Sequence, residues 1–260
     1  VNDLVVAGAV PKFLSAAFII EEGLPVSDLE KIVKTMAEEA KKAGIIIVTG
    51  DTKVVNKGKC DKVFINTSGI GILDEENAQI STGKQIEPGD KIIINGPVAS
   101  HGMAVMASRE FDSFHMDIKS DCAPLNQLAE KALKAGKIKF MRDVTRGGLA
   151  TVLTELTEGK NFGVEIEEEK VPVQEQVKGM CEILGFDPLY VANEGKILMV
   201  VKKEDAESIL KAIKQDKYGK EAGIIGSVVS GHPGKGWIIT EIGSKRIIDM
   251  LSGQQLPRIC

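Results

Sequence analysis

The sequence has no basic surplus, no long apolar run and no clustered cysteines. Its 260 residues carry 33 Lys and Arg against 37 Asp and Glu, a net charge of −4, and the pI is about 5.6. Proteins that hold a phosphate backbone do so with surplus cations, so nucleic-acid binding as the main role is disfavoured. The longest apolar runs, such as Ile45 to Val48, fall far short of the roughly 20 residues that span a bilayer. The opening VNDLVVAGAVPKF lacks the basic stretch that starts a signal peptide. The four cysteines, Cys60, Cys122, Cys181 and Cys260, form no CxxC pair and no Cys/His set at zinc spacing. The first three read as reduced, part-buried thiols of a cytoplasmic protein. There is no G-x-x-x-x-G-K-[ST] loop, and GHPGKG, Gly231 to Gly236, has the wrong spacing and reads as a surface turn. His101, His115 and His232 are isolated, with no Ser or Cys partner visible in the sequence.

What is present is ordinary globular material, 43% hydrophobic and 27% charged, enough for one large or two medium domains. Leu29, Ile32, Val33, Met36 and Ala40 recur at helical spacing. Ser27 and Glu30 suit a capping box for that helix, and Gly44 suits its end. IIIVTGD reads as a buried strand running into a Gly-Asp turn, and Val63 to Leu73 as a further strand. KIIINGPV and KILMVVKK read as buried strands. Helices are expected over His101 to Glu110, Ala123 to Ala135, after RDVTRGG, over VQEQVKGMCEILG and over Asp205 to Gln215. WIITEIG and KRIIDM suggest a hairpin around Gly243. Strands and helices interleave irregularly, which predicts an α/β (α+β) fold with mixed sheets. The polar stretch DEENAQISTGKQ suggests a boundary, giving expected units 1–78, 79–233 and a hairpin and tail over 234–260.

Four segments bring reactive groups together. VND offers Asn2 and Asp3. In TGDTKVV, Gly50, Asp51, Thr52 and Lys53 offer backbone N–H groups, a carboxylate, a hydroxyl and a cation. That set suits a metal-bound polyphosphate, the carboxylate holding Mg²⁺ and the Lys and N–H groups holding phosphate oxygens. A turn with a solvated Asp and Lys has the same composition. In RDVTRGG, Asp143 and Thr145 precede Gly147 and Gly148 at the start of a helix, which suits either anion approach or a capped end with tight packing. In YVANEGKI, Glu194 stands before a buried strand, as a pocket acid–base or as a surface carboxylate.

The chain stops on PRIC, after the polar LSGQQ with its Gly. That composition suits a mobile arm, an unusual place to store a thiol such as Cys260.

NDL, LPVSDLEKIV, TGDTKVV, DKVFINTSGIG, RDVTRGGL, VANEGK and the terminal PRIC, in this order and over the whole chain, resemble the HypE family of hydrogenase maturation factors. That family belongs to the aminoimidazole ribonucleotide synthetase (PurM-like) superfamily. The resemblance implies a two-domain architecture and a homodimer through the first domain. It implies that HypF carbamoylates Cys260 and that ATP with Mg²⁺ drives dehydration of the S-carboxamide to a thiocyanate. The cyanide then passes to iron held by HypC and HypD, for nickel–iron hydrogenase. It assigns ATP binding to Asn2, Asp3, Gly50, Asp51, Thr52, Asp143, Thr145, Gly147 and Gly148, the metal to Asp3 and Asp51, and proton handling to Lys53 and Glu194. The family pattern has a further Gly-rich and acidic N-terminal segment, so a missing start is expected. Two alternatives compete: a relative that phosphorylates a diffusible small molecule, and a nucleotide-binding scaffold that only presents the tail.

Overall fold

A computed structural model describes residues 1–110 and 118–250. The calls at Cys260, on the terminal PRIC and at His115 lie outside the described residues.

The first part is a three-stranded sheet ordered β2-β1-β3. Helix α1 (Asn2–Val6) leads into β1 (Ala9–Glu21), α2 (Val26–Ala43), β2 (Ile46–Val55) and β3 (Val63–Leu73). β2 runs parallel to β1 and β3 antiparallel to it. The long β1 has no counterpart in the sequence reading: Pro11 interrupts its pattern, and the ladder shifts register between Pro11 and Phe13 to pass it. α2 carries the expected stripe, half-buried at Leu29, Ile32, Met36 and Ala40. The capping box does not form. Pro25 is the N-cap and no side chain caps the helix, while Gly44 ends it with φ 68°.

The second part is a seven-stranded sheet ordered β10-β9-β6-β8-β4-β7-β5. Its strands are β4 (Lys91–Ile94), β5 (Ile138–Asp143), β6 (Gly163–Glu167), β7 (Ile197–Val201), β8 (Gly223–Val229), β9 (Gly236–Ile239) and β10 (Lys245–Ile248). Neighbours pair antiparallel except β6 with β9. Its helices are α3 (Ser100–Glu110), α4 (Asn126–Ala135), α5 (Gly148–Thr157), α6 (Glu175–Leu184) and α7 (Ala206–Ile213). The continuous apolar runs of β4 and β7 are explained by burial on both faces. Ile92, Ile94, Leu198 and Val200 pack with Leu149 and Leu153 of α5. Ile93, Ile197, Met199 and Val201 face the other way, onto Leu128 of α4 and Ile209 of α7. Cutting one of these side chains back to Ala costs about 2–5 kcal/mol. Val5 and Val6 of α1 join that second cluster, which seats the chain start on the large sheet and positions the site below.

Candidate active site

Asn2 and Asp3, expected in a loop, form the first turn of α1. Both Nδ2 hydrogens of Asn2 are used, on the carbonyls of Ala123 (2.9 Å) and Glu194 (3.2 Å). Its Oδ1 accepts the N–H of Leu125 at 3.0 Å. Leu125 is the N-cap of α4, so a residue 123 positions away supplies the cap. This places the helix start at Asn126 rather than the expected Ala123.

The segment Asn193 to Ile197 is pinned from every side. Asn193 is fully buried, accepts from Ala99 N–H (2.7 Å) and donates to Val144 and Val191 carbonyls. Buried Asn95 donates to the carbonyls of Gly195 and Tyr218 and accepts from Ile197 N–H. Asp121 Oδ1 accepts the N–H of Glu194 at 2.9 Å. Lys196 Nζ stands 3.0 Å from Asp121 Oδ2, both side chains nearly buried, as an ion pair without hydrogen-bond alignment. Gly195 packs so closely on this turn that a Cβ would lie 1.9 Å from the Asp121 carbonyl oxygen.

The Glu194 side chain makes no hydrogen bond among the described residues. Burial pushes its carboxyl up from the ordinary glutamate range, and the charges of Asp121, Asp143 and Asp3 push it further. Asp143 sits at the end of β5 and accepts from Thr145 Oγ1 at 2.9 Å. Asp3 and Asp143, both expected from sequence, thus lie within electrostatic reach of Glu194 and make its surroundings an acidic site. Gly147 and Gly148 follow Asp143 at the start of α5 and are required by packing there: they have φ 74° and 64°, and a Cβ on Gly148 would stand 2.5 Å from the Leu189 carbonyl oxygen.

Gly50, Asp51, Thr52 and Lys53 do not form the expected turn. They continue β2, in register with Ala16 to Ile19 of β1. Gly50 is required there because a Cβ would lie 2.3 Å from the Ala16 carbonyl oxygen. Asp51 Oδ1 accepts the N–H of Thr52, and these residues are exposed. Among the described residues no hydrogen bond or ion pair joins Asp51 or Lys53 to the acidic site. No group of three or more His, Cys, Asp or Glu among the described residues stands close enough to hold a metal ion.

The sequence reading missed a second cluster. His101 Nδ1 lies 2.9 Å from Ser120 Oγ, which donates to Cys122 Sγ at 3.1 Å. The histidine that looked isolated thus has both a Ser and a Cys beside it. Burial lowers the His101 imidazole against an opposing pull from Asp121. Burial likewise raises the Cys122 thiol, the Ser120 hydroxyl opposes the rise, and Glu194 and Asp121 add to it. Asp121, Cys122 and Lys196 line a pocket of about 560 Å³ together with Lys119, Lys217 and Lys220. Lysines thus gather around the pocket, where they attract anions, with Asp121 and Glu221 as the acids in its lining. Buried asparagines in INGP and ANEG were the available signal for the pinned segment, because a buried amide must be hydrogen-bonded.

Models of AIR synthase related proteins match the chain twice, the N-terminal domain over residues 1–73 and the C-terminal domain over 87–238. The carbamoyl dehydratase HypE of Rhizobium leguminosarum bv. viciae is 47% identical over 262 residues, covering all of this chain and 74% of the relative. The chain belongs to the HypE family. A solved HypE in complex with ATP superposes with a TM-score of 0.93 at 42% identity, over all of this chain and 78% of the other. The HypE–HypF complex gives a TM-score of 0.91 at 52% identity, over 96% of this chain and 81% of the matched one. The HypE fold is the mixed-sheet, two-domain α/β arrangement described above. Among the described residues, no helix is long and apolar enough to cross a membrane.

Proposed function

We propose that this chain is an ATP-dependent carbamoyl dehydratase of hydrogenase maturation that acts on its own C-terminal cysteine. HypF loads Cys260 with a carbamoyl group. ATP then converts the S-carboxamide to a thiocyanate, releasing ADP and phosphate, and the cyanide passes to iron on HypC and HypD. The observation that carries this reading is the match over the whole of this chain to a HypE carbamoyl dehydratase, at 47% identity, with Glu194 before β7 as the candidate base. An amide oxygen is a poor leaving group, and phosphorylation makes it a good one. Removal of the amide N–H protons then completes the C≡N bond. A base for that step works best with a raised pKa near the working pH, which is the direction of the shift at Glu194.

Mg²⁺ usually takes one or two carboxylates plus phosphate oxygens and water, so a three-acid cage is not needed. Asp3 is one proposed ligand, a carboxylate within electrostatic reach of Glu194; Asp51 is the second. When bound, the ion spreads charge on the transferred phosphoryl group. Thr52 and the Gly50 backbone meet the nucleotide, and Lys53 orients the phosphate and moves a proton. Asp143 and Thr145 line the acidic side, and Asn2, Gly147 and Gly148 hold its shape.

Asp51 and Lys53 lie on a sheet whose apolar residues stay exposed, Ile46 at 60% and Ile70 at 69%. An uncovered apolar patch of this kind marks an interface. We assign it to a second copy of the chain, with residues 1–78 as the ATP-binding and dimerising unit, 79–233 as the second and 234–260 as the tail. The protein works in the cytoplasm.

The test is intact mass spectrometry of the C-terminal peptide of the chain loaded by HypF. Addition of a carbamoyl group, followed by loss of one water only when Mg²⁺ and ATP are present, is expected. A carbamoylated tail that binds nucleotide but never loses water overturns the reading in favour of a scaffold.

A further inference from the structure

Glu194 is held by its backbone, not by its side chain. Its carbonyl accepts from Asn2 and its N–H donates to Asp121 Oδ1 at 2.9 Å. The same carboxylate anchors the next polar residue: Lys196 Nζ lies 3.0 Å from Oδ2, the two side chains 9% and 7% exposed. The Asp121 main chain completes the grip, since Gly195 packs against its carbonyl with no room for a Cβ. One residue thus fixes Glu194, Gly195 and Lys196 through its side chain and its backbone. A buried ion pair gives little net stability, so its value here is geometric.

We propose that Asp121 is the positioning residue of the dehydration site. It sets the backbone of Glu194 through Oδ1 and the exit of the segment through Lys196, and its charge faces the Glu194 carboxyl. The inference rests on the reading of Glu194 as the base, and it concerns a residue outside the nucleotide and metal set. The other groups facing Glu194 are Asp3 from α1, Asp143 from the end of β5 and Cys122 from the segment before α4. Lys196 stands two residues on, paired to Asp121, and His101 of α3 feels Asp121 as well. A 1 Å misplacement of a catalytic group can cost up to about 100-fold in rate, which is why a backbone anchor matters more than another contact on the carboxyl.

The experiment follows water loss from the carbamoylated tail of the full chain, with Mg²⁺ and ATP, across pH. Asp121→Asn keeps an oxygen acceptor but removes a negative charge beside Glu194. The Glu194 carboxyl then ionises more readily, so the acid limb moves to lower pH while the plateau rate falls by less than about threefold. Asp121→Ala removes the anchor, so kcat falls about tenfold or more while KM for ATP stays within about twofold. If Asp121→Ala fails to fold around the unpaired Lys196, Asp121→Ala combined with Lys196→Met carries the same test, because both charges are gone. An unmoved acid limb in Asp121→Asn, or a near-normal kcat in the Ala variant, overturns the proposal. Glu194→Gln in the same assay separates the two claims. Normal turnover there removes the base itself, whereas an inactive Glu194→Gln beside a normal Asp121→Ala removes only the positioning role.

Discussion

The side chain of Asn2 donates to the backbone carbonyl of Glu194, 192 positions away, at 3.2 Å. The first turn of the chain and the segment before β7 are thereby one unit, and the same amide also caps α4.

Asn2→Ala leaves the Leu125 N–H and the Ala123 and Glu194 carbonyls without their partner. Leaving buried polar groups unpaired costs about 1–3 kcal/mol. Thermal unfolding should report that loss. ATP affinity by calorimetry, measured well below the transition, should change by less than about threefold, because both Nδ2 hydrogens are already spent inside the protein. A large fall in affinity with unchanged stability would make Asn2 a nucleotide ligand instead of a clamp.

Glu194→Gln should abolish dehydration and, at neutral pH, raise stability. The sign follows from linkage. A carboxyl whose folded pKa is raised favours the folded state in its protonated form; that contribution is complete below the ordinary value of 4.5 and is lost as pH rises through the folded value. Gln mimics the protonated form at every pH. The variant should therefore unfold at a higher temperature than the parent at about pH 8 and match it near about pH 4. A variant less stable than the parent at the higher pH contradicts the raised carboxyl.

Ile70→Asp on β3 should convert a dimer to a monomer without unfolding the chain. The side chain is 69% exposed in the single chain, so the substitution removes little packing within it, but a buried unpaired carboxylate is costly at an interface. Light scattering after size-exclusion chromatography reads the mass. An unchanged dimer with Ile70→Asp would place the second copy elsewhere.

Much of the large sheet is legible in the sequence, because Ile92 to Ile94 and Ile197 to Val201 are unbroken apolar runs of the kind a strand covered on both faces uses; the similar run Ile45 to Val48 misleads, since β2 is largely exposed. α2 is legible from its stripe and from Gly44. Its cap is not, since Ser27 at the right spacing competes with a Pro25 start that no pattern reveals. Pro11 hides β1, and Gly-Asp, which usually ends a strand, hides the continuation of β2 through Gly50. Only the carbonyl of Ala16 pressed on Gly50 explains that glycine.

The sequence by itself determined the residue types of the site and the family resemblance, since these are written as local motifs. Tertiary structure alone decided which of them meet. Asp3, Asp143 and Glu194 come from α1, the end of β5 and the loop before β7, and Asp121 joins them from a segment with no motif. Such contacts depend on chain reversals whose geometry is set by packing across both faces of the sheet. No period or spacing along the chain encodes them, and the raised Glu194 carboxyl is a product of that convergence rather than of its neighbours in sequence.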